Sequence, residues 1–369
     1  ASWREADARP ADLLTPGYWT DLVTGAESGL LDFVTIEDGL ALQSEHPLRV
    51  DDRTDRVRGR LDATLIAARV APRTRHIGLL PTVITTHTEP FHASKAIATL
   101  DYVSSGRAGI RVQVSANPAA AQHFGRRTVP EVGEGGDLLG EAADYVEVIR
   151  RLWDSWEDDA EIRDVATGRF IDRSKLHYVD FEGRWFSVKG PSITPRPPQG
   201  QPIVAALGHV EAAYRLIGSS ADVGFITPHG AAETETTVAA IAAHRGGNRE
   251  PVRVFADLVV FLDATPDAAR QRRERLDQVA GREYRSDAEI FTGTPAQLAD
   301  LVEQWHAAGA DGFRLRPATL PHDLRQTTDG LVPELQSRGL FRTAYTGATL
   351  RETLGLARPA NRYSTAATS

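Results

Sequence analysis

The stretch His76–Asn117, HIGLLPTVITTHTEPFHASKAIATLDYVSSGRAGIRVQVSAN, contains one complete strand–loop–helix–strand unit. The short apolar run His76–Pro81 predicts a buried strand, and a threonine-rich turn follows it. Pro90 then opens a helix, and Ala108–Ser115 predicts a second strand. Parallel strands joined in this way end at the same edge of a sheet, where ligands and catalytic groups gather.

The second strand of this unit carries polar side chains on one face. Because side chains alternate along a strand, Arg111, Gln113 and Ser115 face one way and apolar residues face the other. A purely structural strand of a parallel sheet is apolar on both faces. The pattern favours a cavity that holds a polar ligand. The alternatives are a solvated edge strand or a buried polar cluster that is satisfied by its neighbours.

The helix of the unit has an apolar stripe, formed by residues at three- and four-residue spacing from Ala93 to Val103. Gly106 is suited to the left-handed conformation that ends many helices. Asp101 lies near the helix end, and Arg107 lies at the entry to the next strand. We predict that these two residues form a structural ion pair that fixes the turn.

Composition excludes several classes of protein. The chain has 369 residues, a net charge of −8 and no cysteine, so disulfides, thiolate nucleophiles and cysteine-based metal sites are excluded. The acidic balance argues against a nucleic-acid surface. No apolar run approaches the roughly 18 residues needed to cross a membrane. No signal peptide is visible, and we expect a cytoplasmic protein.

Strand and helix patterns alternate along the chain, and we count seven strands. Repeated β–α units form either a doubly wound sheet or a closed barrel, which usually has eight strands. We predict an α/β fold, a (β/α)8 TIM barrel that forms a single domain over residues 1–369. Its first strand is expected to be missing or shortened. Residues 158–202 form an irregular insertion with a hairpin near Glu182, and residues 332–369 form a C-terminal extension.

Four segments, in this order, resemble the bacterial luciferase-like flavin-dependent monooxygenases: Thr74–Gly109, Asp144–Ala160, His177–Val204 and Val332–Pro359. The branch they resemble most contains the nitrilotriacetate, pristinamycin and dibenzothiophene-sulfone monooxygenases. The resemblance implies a barrel with an insertion, usually a homodimer. It also implies reduced FMN from a separate NAD(P)H:flavin reductase, and oxidation of a small-molecule substrate with O2. No G-x-G-x-x-G follows a predicted strand, which fits a borrowed reductant.

The resemblance also implies cofactor contacts at particular residues. Asp38 matches the acidic residue after the second barrel strand, near the flavin. Thr82 matches the small polar residue after the third strand, and Ser115 matches the serine that ends the fourth. Gln113 and Arg111 share the face of Ser115, and the family more often has asparagine in place of Arg111.

The expected phosphate site departs from the family pattern. Gly208 and His209 occupy the loop before a helix whose free N–H groups and dipole would favour the FMN phosphate. His209 and the residue after it replace the usual serine. The family presents a histidine and a tyrosine from its long helix, where alignment puts Gly135 and Leu139. Backbone N–H groups and Arg111 would have to compensate for these lost contacts.

His87 is the candidate catalytic residue. It follows a predicted strand and could contact substrate or the flavin, and the alternative is an exposed loop histidine. His87, Glu89 and His92 fit no common ligand spacing, so we predict no metal site. Glu37 is expected to pair with Arg111 inside the barrel.

The leading hypothesis is an FMNH2-dependent two-component monooxygenase acting on a small organic molecule. One alternative is an F420-dependent oxidoreductase of the same superfamily, which transfers hydride and needs no oxygen. A second alternative is a non-catalytic partner subunit of the same fold. Titration of the protein with FMN and with F420 separates these possibilities.

Overall fold

The apolar runs of the sequence form a curled sheet of eight parallel strands, and the amphipathic segments form helices around it. The computed structural model describes residues 1–46, 48–129, 137–246 and 250–364. The alternation of strand and helix confirms the predicted (β/α)8 TIM-like architecture.

The strands of the described residues are, in chain order, β1 (Phe33–Ile36), β2 (Gly78–Ile84), β3 (Gly109–Gln113), β4 (Glu161–Asp164), β5 (Arg169–Ile171), β6 (Phe181–Glu182), β7 (Ser187–Val188), β8 (Ile203–Gly208), β9 (Val223–Ile226), β10 (Arg253–Leu262), β11 (Glu289–Gly293) and β12 (Gly312–Pro317).

The α-helices of the described residues are α1 (Pro16–Ser28), α2 (Ala63–Val70), α3 (Pro90–Val103), α4 (Pro118–Phe124), α5 (Leu138–Asp154), α6 (Glu211–Ser220), α7 (Ala231–Ala243), α8 (Pro266–Ala280), α9 (Pro295–Ala307), α10 (His322–Arg325), α11 (Val332–Ser337) and α12 (Leu350–Thr353).

Local sequence explains where several helices begin and end. Thr265 and Thr294 accept a hydrogen bond from the first turn of α8 and α9, and proline occupies the first helical position of both. Pro90 opens α3 in the same position. After α3, Gly106 adopts a φ of +84°, a conformation that favours glycine.

The main sheet runs in the order β1, β2, β3, β8, β9, β10, β11, and all of its neighbouring strands are parallel. The start of β10 pairs with β9, and its end pairs with β11. β12 pairs with the middle of β10, and the residues of β10 that it pairs with overlap those paired with β9 and those paired with β11. β12 therefore lies on the edge of β10 opposite to β9 and β11. Within the described residues no hydrogen bond joins β1 to β12, and the barrel is open between these two strands.

Alternation along the strands gives the barrel interior an apolar floor and a polar mouth. The floor is one buried cluster that includes Leu80 and Phe255, together with Leu350 and Leu354 from the C-terminal segment, and the partly buried Phe33 packs against it. The C-terminal segment therefore closes the barrel at the amino ends of its strands. Towards the carboxyl ends, polar and charged side chains replace the apolar ones.

Two expectations about the fold are wrong. The sheet has eight strands rather than seven, because Glu289–Gly293 forms β11, which is not among the seven predicted strands. Asp101 and Arg107 do not pair with each other in this turn. Arg107 donates to backbone carbonyl oxygens, such as that of Ile77, and Asp101 accepts from the backbone N–H of Ala108. Backbone groups, together with the side chains of Thr74 and Gln199, therefore satisfy both charges.

The segment predicted as an irregular insertion contains two antiparallel hairpins, β4–β5 and β6–β7. The second of them confirms the hairpin predicted near Glu182. No strand precedes Phe33 in the described residues. None of the described helices combines the length and apolar composition that crossing a bilayer requires.

Candidate active site at the barrel mouth

The mouth of the barrel, at the carboxyl ends of its strands, carries the predicted cofactor contacts. Thr82, Arg111 and Gln113 lie on the interior face of β2 and β3, and Arg111 contacts the other two. The Nε of Arg111 donates to Thr82 Oγ1 at 3.0 Å, and its Nη2 donates to Gln113 Oε1 at 2.7 Å. Nη2 also lies 2.5 Å from Glu37 Oε2, which confirms the predicted Glu37–Arg111 pair.

Arg111 is a buried cation. Burial lowers its pKa to about 10, and the negative charge of Glu37 opposes this effect. Arg111 therefore remains charged at neutral pH. Its three side-chain acceptors belong to two neighbouring strands and to the residue after β1, so the guanidinium ties these elements together at the mouth.

A second charged group, which sequence reasoning missed, comes from β10 and β12. Arg314 faces Asp257 in the strand register, and its Nε donates to Asp257 Oδ1 at 2.7 Å while Nη2 bonds the other carboxylate oxygen. Arg316 also bonds Asp257. The guanidinium of Arg314 lies over the ring of Phe225, 4.1 Å from the centroid. The alternation of arginine with apolar residues in GFRLRP is the sequence signal for this polar face.

Arg316 links this group to the rim of the mouth. Its Nη1 donates to Asp287 Oδ1 at 2.7 Å. Burial acts to raise the pKa of Asp287, but the hydrogen bond and the charge of Arg316 outweigh it and lower this pKa to about 2. His209 follows β8 and is half exposed, with Nδ1 2.9 Å from Thr227 Oγ1 and Nε2 3.7 Å from Asp287 Oδ2. Charged and polar groups therefore extend across the mouth as far as His209.

Two predicted contacts have other partners. The carboxylate of Asp38 accepts from the backbone N–H of Gly39 at 2.7 Å and of Ala63 at 2.9 Å, so it fixes the start of α2. Ser115 donates its backbone N–H to Thr86 Oγ1 at 2.9 Å. Within the described residues neither Asp38 nor Ser115 hydrogen-bonds the Arg111 group.

His87 lies just after β2 and is only partly exposed. Its ring stacks on Phe124, with the centroids 5.1 Å apart and the planes at 2°. Its Nε2 is buried and has no hydrogen-bond partner in the described part of the chain. Burial, and to a smaller extent the charge of Arg127, lowers the pKa of His87, so the ring is neutral at pH 7. An orphaned neutral imidazole at the mouth can offer a hydrogen bond to a ligand.

The amino end of α6 is open. Gly208 ends β8, and His209 and Val210 lead into the helix. No side chain caps α6, and the N–H groups of residues 210–212 meet no acceptor among the described residues. The carboxylate of Glu211 is held by His244. Free amides and the helix dipole make this end suitable for an anion.

The structure describes one of the two remaining positions of the predicted phosphate site. Leu139 lies in the first turn of α5 and is half-buried. Gly135 lies outside the described residues. An apolar leucine offers phosphate no hydrogen bond, so the amides at the start of α6 are the donors that the described residues provide.

A cavity of about 740 Å³ lies between β1 and β12 rather than over Arg111. Apolar side chains line much of it, including Trp19, Val34, Phe313 and Phe341. None of the predicted cofactor contacts lines this cavity. A ring system at the mouth would therefore have to lie above the Arg111 group or displace Glu37, whose side chain is 53% exposed.

Comparisons with known proteins agree on one family. The family model described as luciferase-like monooxygenase matches residues 3–291. The chain is 32% identical to nitrilotriacetate monooxygenase component A of Aminobacter aminovorans, over 97% of this chain and 94% of that protein.

Solved structures of similar proteins superpose on nearly the whole chain. A long-chain alkane monooxygenase (LadA) superposes with a TM-score of 0.82 at 25% identity, covering 96% of this chain and 91% of that one. A riboflavin lyase, whose structure contains modified FMN and riboflavin, superposes with a TM-score of 0.83 at 25% identity. That match covers 96% of this chain and 92% of the lyase.

Proposed function

Since this chain belongs to the family of luciferase-like monooxygenases and is therefore an enzyme, we propose that it is the oxygenase of a two-component system. It uses reduced FMN from a separate NAD(P)H:flavin reductase to oxidise a small organic substrate with O2. The name "component A" of the nitrilotriacetate relative supports a second component, and the modified FMN of the lyase structure supports this cofactor. The named substrates of the relatives differ widely and select none for this chain.

The observation that carries the proposal is the uncapped amino end of α6 at the barrel mouth. Free N–H groups of residues 210–212 would hold the FMN phosphate there. Thr265 and Thr294 fill this position in α8 and α9, whereas Val210 offers no acceptor in α6. An open helix end beside a polar barrel mouth fits a phosphate-bearing cofactor.

Other residues of the mouth would orient the ring and exclude water. Reduced FMN, when bound, supplies the electrons that activate oxygen. Thr82, Arg111 and Gln113 form a polar surface below the expected ring. His87 offers an unused imidazole nitrogen beside it. Gly208 keeps α6 close to the sheet, because a Cβ there would come within 2.9 Å of Tyr214 and Ile217.

We extend the proposal to a cytoplasmic homodimer. Leu65 on α2 is 71% exposed, and Val103 at the end of the neighbouring helix α3 is 52% exposed. Large apolar side chains on adjacent helices favour burial against a second copy. Light scattering of the purified protein tests the dimer.

The test of the phosphate site is Val210→Asp. An aspartate at this position would cap α6 with its own carboxylate, stabilising the protein by about 0.5–1 kcal/mol while excluding phosphate. Because Val210 is 57% exposed, the change costs little packing. We expect FMN affinity, measured by fluorescence titration, to fall at least about thirtyfold, and riboflavin affinity to stay unchanged because riboflavin has no phosphate.

Val210→Ala is the matched control and should leave both affinities unchanged. Equal losses of FMN and riboflavin affinity in Val210→Asp would contradict the phosphate assignment. Binding of F420 but not FMN by the unaltered protein would favour a hydride-transferring oxidoreductase instead. Absence of binding by either cofactor would overturn the proposed function.

A further inference from the structure

Arg314 has one donor that nothing satisfies. Its side chain is 7% exposed and is held by Asp257 on one side and the ring of Phe225 on the other. The remaining nitrogen, Nη1, is buried and has no hydrogen-bond partner in the described residues. Its nearest recorded carboxylate oxygen is Glu37 Oε1, 4.0 Å away. An unsatisfied donor on a buried cation is costly, so its retention in this fold points to a ligand that completes it.

Glu37 occupies an intermediate position between two buried arginines. Its Oε2 contacts Arg111 Nη2 at 2.5 Å, and its Oε1 stays beyond hydrogen-bond distance of Arg314. Arginine and carboxylate pair best through two parallel hydrogen bonds, and Glu37 makes that arrangement with neither arginine. Its side chain is 53% exposed and follows the end of β1, so it can turn into solvent without repacking of the core.

We infer that Arg111 and Arg314 form a recognition site for a carboxylate group of the substrate, and that Glu37 fills this site when substrate is absent. The inference rests on the proposed function, because it names the substrate class of the same mouth. A substrate carboxylate would bridge both guanidinium groups as Glu37 turns outwards. Its two planar oxygens match the two donors that face the space occupied by Glu37.

Charge balance favours exchange of one carboxylate for another. Arg111, Arg314 and Arg316 contribute three positive charges, and Glu37, Asp257 and Asp287 contribute three negative ones. Asp257 is fully buried and Asp287 is held by Arg316, so Glu37 is the exposed carboxylate that contacts Arg111. A neutral hydrocarbon in its place would leave Arg111 without an anion and Arg314 Nη1 without an acceptor, which disfavours such substrates.

The decisive experiment removes the internal carboxylate and supplies an external one. Full-length Glu37→Ala, free of flavin, is heated in sodium acetate and in sodium chloride at equal ionic strength. We expect acetate to raise its melting temperature saturably, by about 2–3 °C, and chloride to leave it unchanged. The unaltered protein should respond far less, because Glu37 already occupies the site. Glu37→Ala combined with Arg314→Lys should lose the acetate response, since lysine keeps the charge beside Asp257 but lacks the planar fork.

Glu89→Ala is the matched control, because Glu89 forms an exposed ion pair with Arg126 and, within the described residues, contacts neither Arg111 nor Arg314. Acetate should not stabilise this variant more than chloride does. A similar acetate effect in both alanine variants, or no saturable effect in Glu37→Ala, would overturn the inference. Unchanged FMN affinity in Glu37→Ala/Arg314→Lys would support a site for substrate. If this variant loses both its FMN affinity and its acetate response, the site binds the flavin and the assignment to substrate is overturned.

The kinetic test uses a substrate found by oxygen consumption with FMN and a reductase. Arg314→Lys should raise the KM of a carboxylate substrate about 100-fold and change kcat much less. The corresponding primary amide should be a poor substrate for the unaltered enzyme. Equal turnover of acid and amide would refute the inference and leave the proposed function intact. Failure of FMN binding in the unaltered protein, with the acetate response retained, would remove the proposed function and leave only the anion site.

Discussion

The two ends of the barrel bury arginine in opposite ways. At the amino end, Arg107 donates to the backbone carbonyl oxygens of Ala71, Thr74 and Ile77. At the carboxyl end, Arg111 and Arg314 bond only side chains, and one donor of Arg314 has no acceptor among the described residues. Backbone acceptors are fixed by the fold, whereas side-chain acceptors can be exchanged for a ligand. We therefore expect the arginine at the amino end to stabilise the fold and the arginines at the mouth to bind a ligand.

The largest effect should come from Arg107→Met. This change leaves several buried carbonyl oxygens without a donor, and we expect it to lower the free energy of unfolding by about 4 kcal/mol. Arg111→Met at the mouth should cost only about 1–2 kcal/mol, because Thr82, Gln113 and Glu37 can reorient towards one another or water. Urea denaturation of both variants measures the difference.

Arg69→Met controls for the loss of a surface arginine, since Arg69 is exposed on α2. It should change the free energy of unfolding by less than about 0.5 kcal/mol. If Arg107→Met and Arg111→Met lower the free energy of unfolding equally, the distinction between the two ends is wrong. That result would mean that side-chain acceptors at the mouth are held as rigidly as the backbone.

Asp101, which lies at the amino end of the barrel near Arg107, should make the stability of this end depend on pH. Burial raises its pKa from 3.8 to about 6, although hydrogen bonds from Gln199 and Ala108 oppose the shift. Because the folded protein holds this proton more tightly than the unfolded chain, the contribution to stability is complete below about pH 4. It is lost as the pH rises to about 6. A difference of this size corresponds to about 3 kcal/mol.

Asp101→Asn removes this titration. We expect the free energy of unfolding of the unaltered protein, minus that of Asp101→Asn, to fall by about 3 kcal/mol between pH 4 and pH 7. Urea denaturation across this range gives the difference, in which the other carboxyl groups cancel. Parallel pH profiles for the two proteins would show that Asp101 titrates as it does in the unfolded chain.

The sequence predicts the repeated β–α units, the polar face of β3 and the pair between Glu37 and Arg111. The first two features depend on local periodicity, which a strand or helix carries within its own residues. The pair depends on the carboxyl ends of parallel strands meeting at one edge of the sheet. Periodicity does not reveal β11, because five residues between two helical segments are too few to establish a period. Its pairing with the end of β10 is a tertiary contact that the local pattern does not contain.

The charged residues show the same limit. Asp101 and Arg107 lie close together in sequence, which favours an ion pair, but the fold offers each of them backbone partners that no local pattern reveals. Asp257 and Arg314 are far apart in sequence and meet because the register of β10 and β12 sets them opposite each other. Alternation can indicate the polar face of β12, but register depends on strand pairing across the whole sheet, so the pairing of Asp257 with Arg314 is not predictable from periodicity.

The smallest expected change in the free energy of unfolding comes from replacing a buried polar side chain by an apolar one, once at each end of the barrel. Thr74 at the amino end accepts from Arg107 Nη1 at 2.9 Å and donates to the carbonyl oxygen of Ala71 at 3.2 Å. Thr74→Val should therefore cost about 1–2 kcal/mol. His87→Phe should keep the stacking on Phe124 while removing an unsatisfied nitrogen. We expect its unfolding free energy to stay constant or to rise by up to about 1 kcal/mol.

If His87 contacts the substrate or the flavin as predicted, His87→Phe should also slow substrate oxidation at least about tenfold. Urea denaturation and oxygen consumption with FMN and a reductase measure the two effects separately. A loss of stability as large as that of Thr74→Val would mean that the imidazole has a structural partner, and the mouth would then resemble the amino end. Greater stability with slower oxidation would mark His87 as a group that the fold keeps unsatisfied for its ligand.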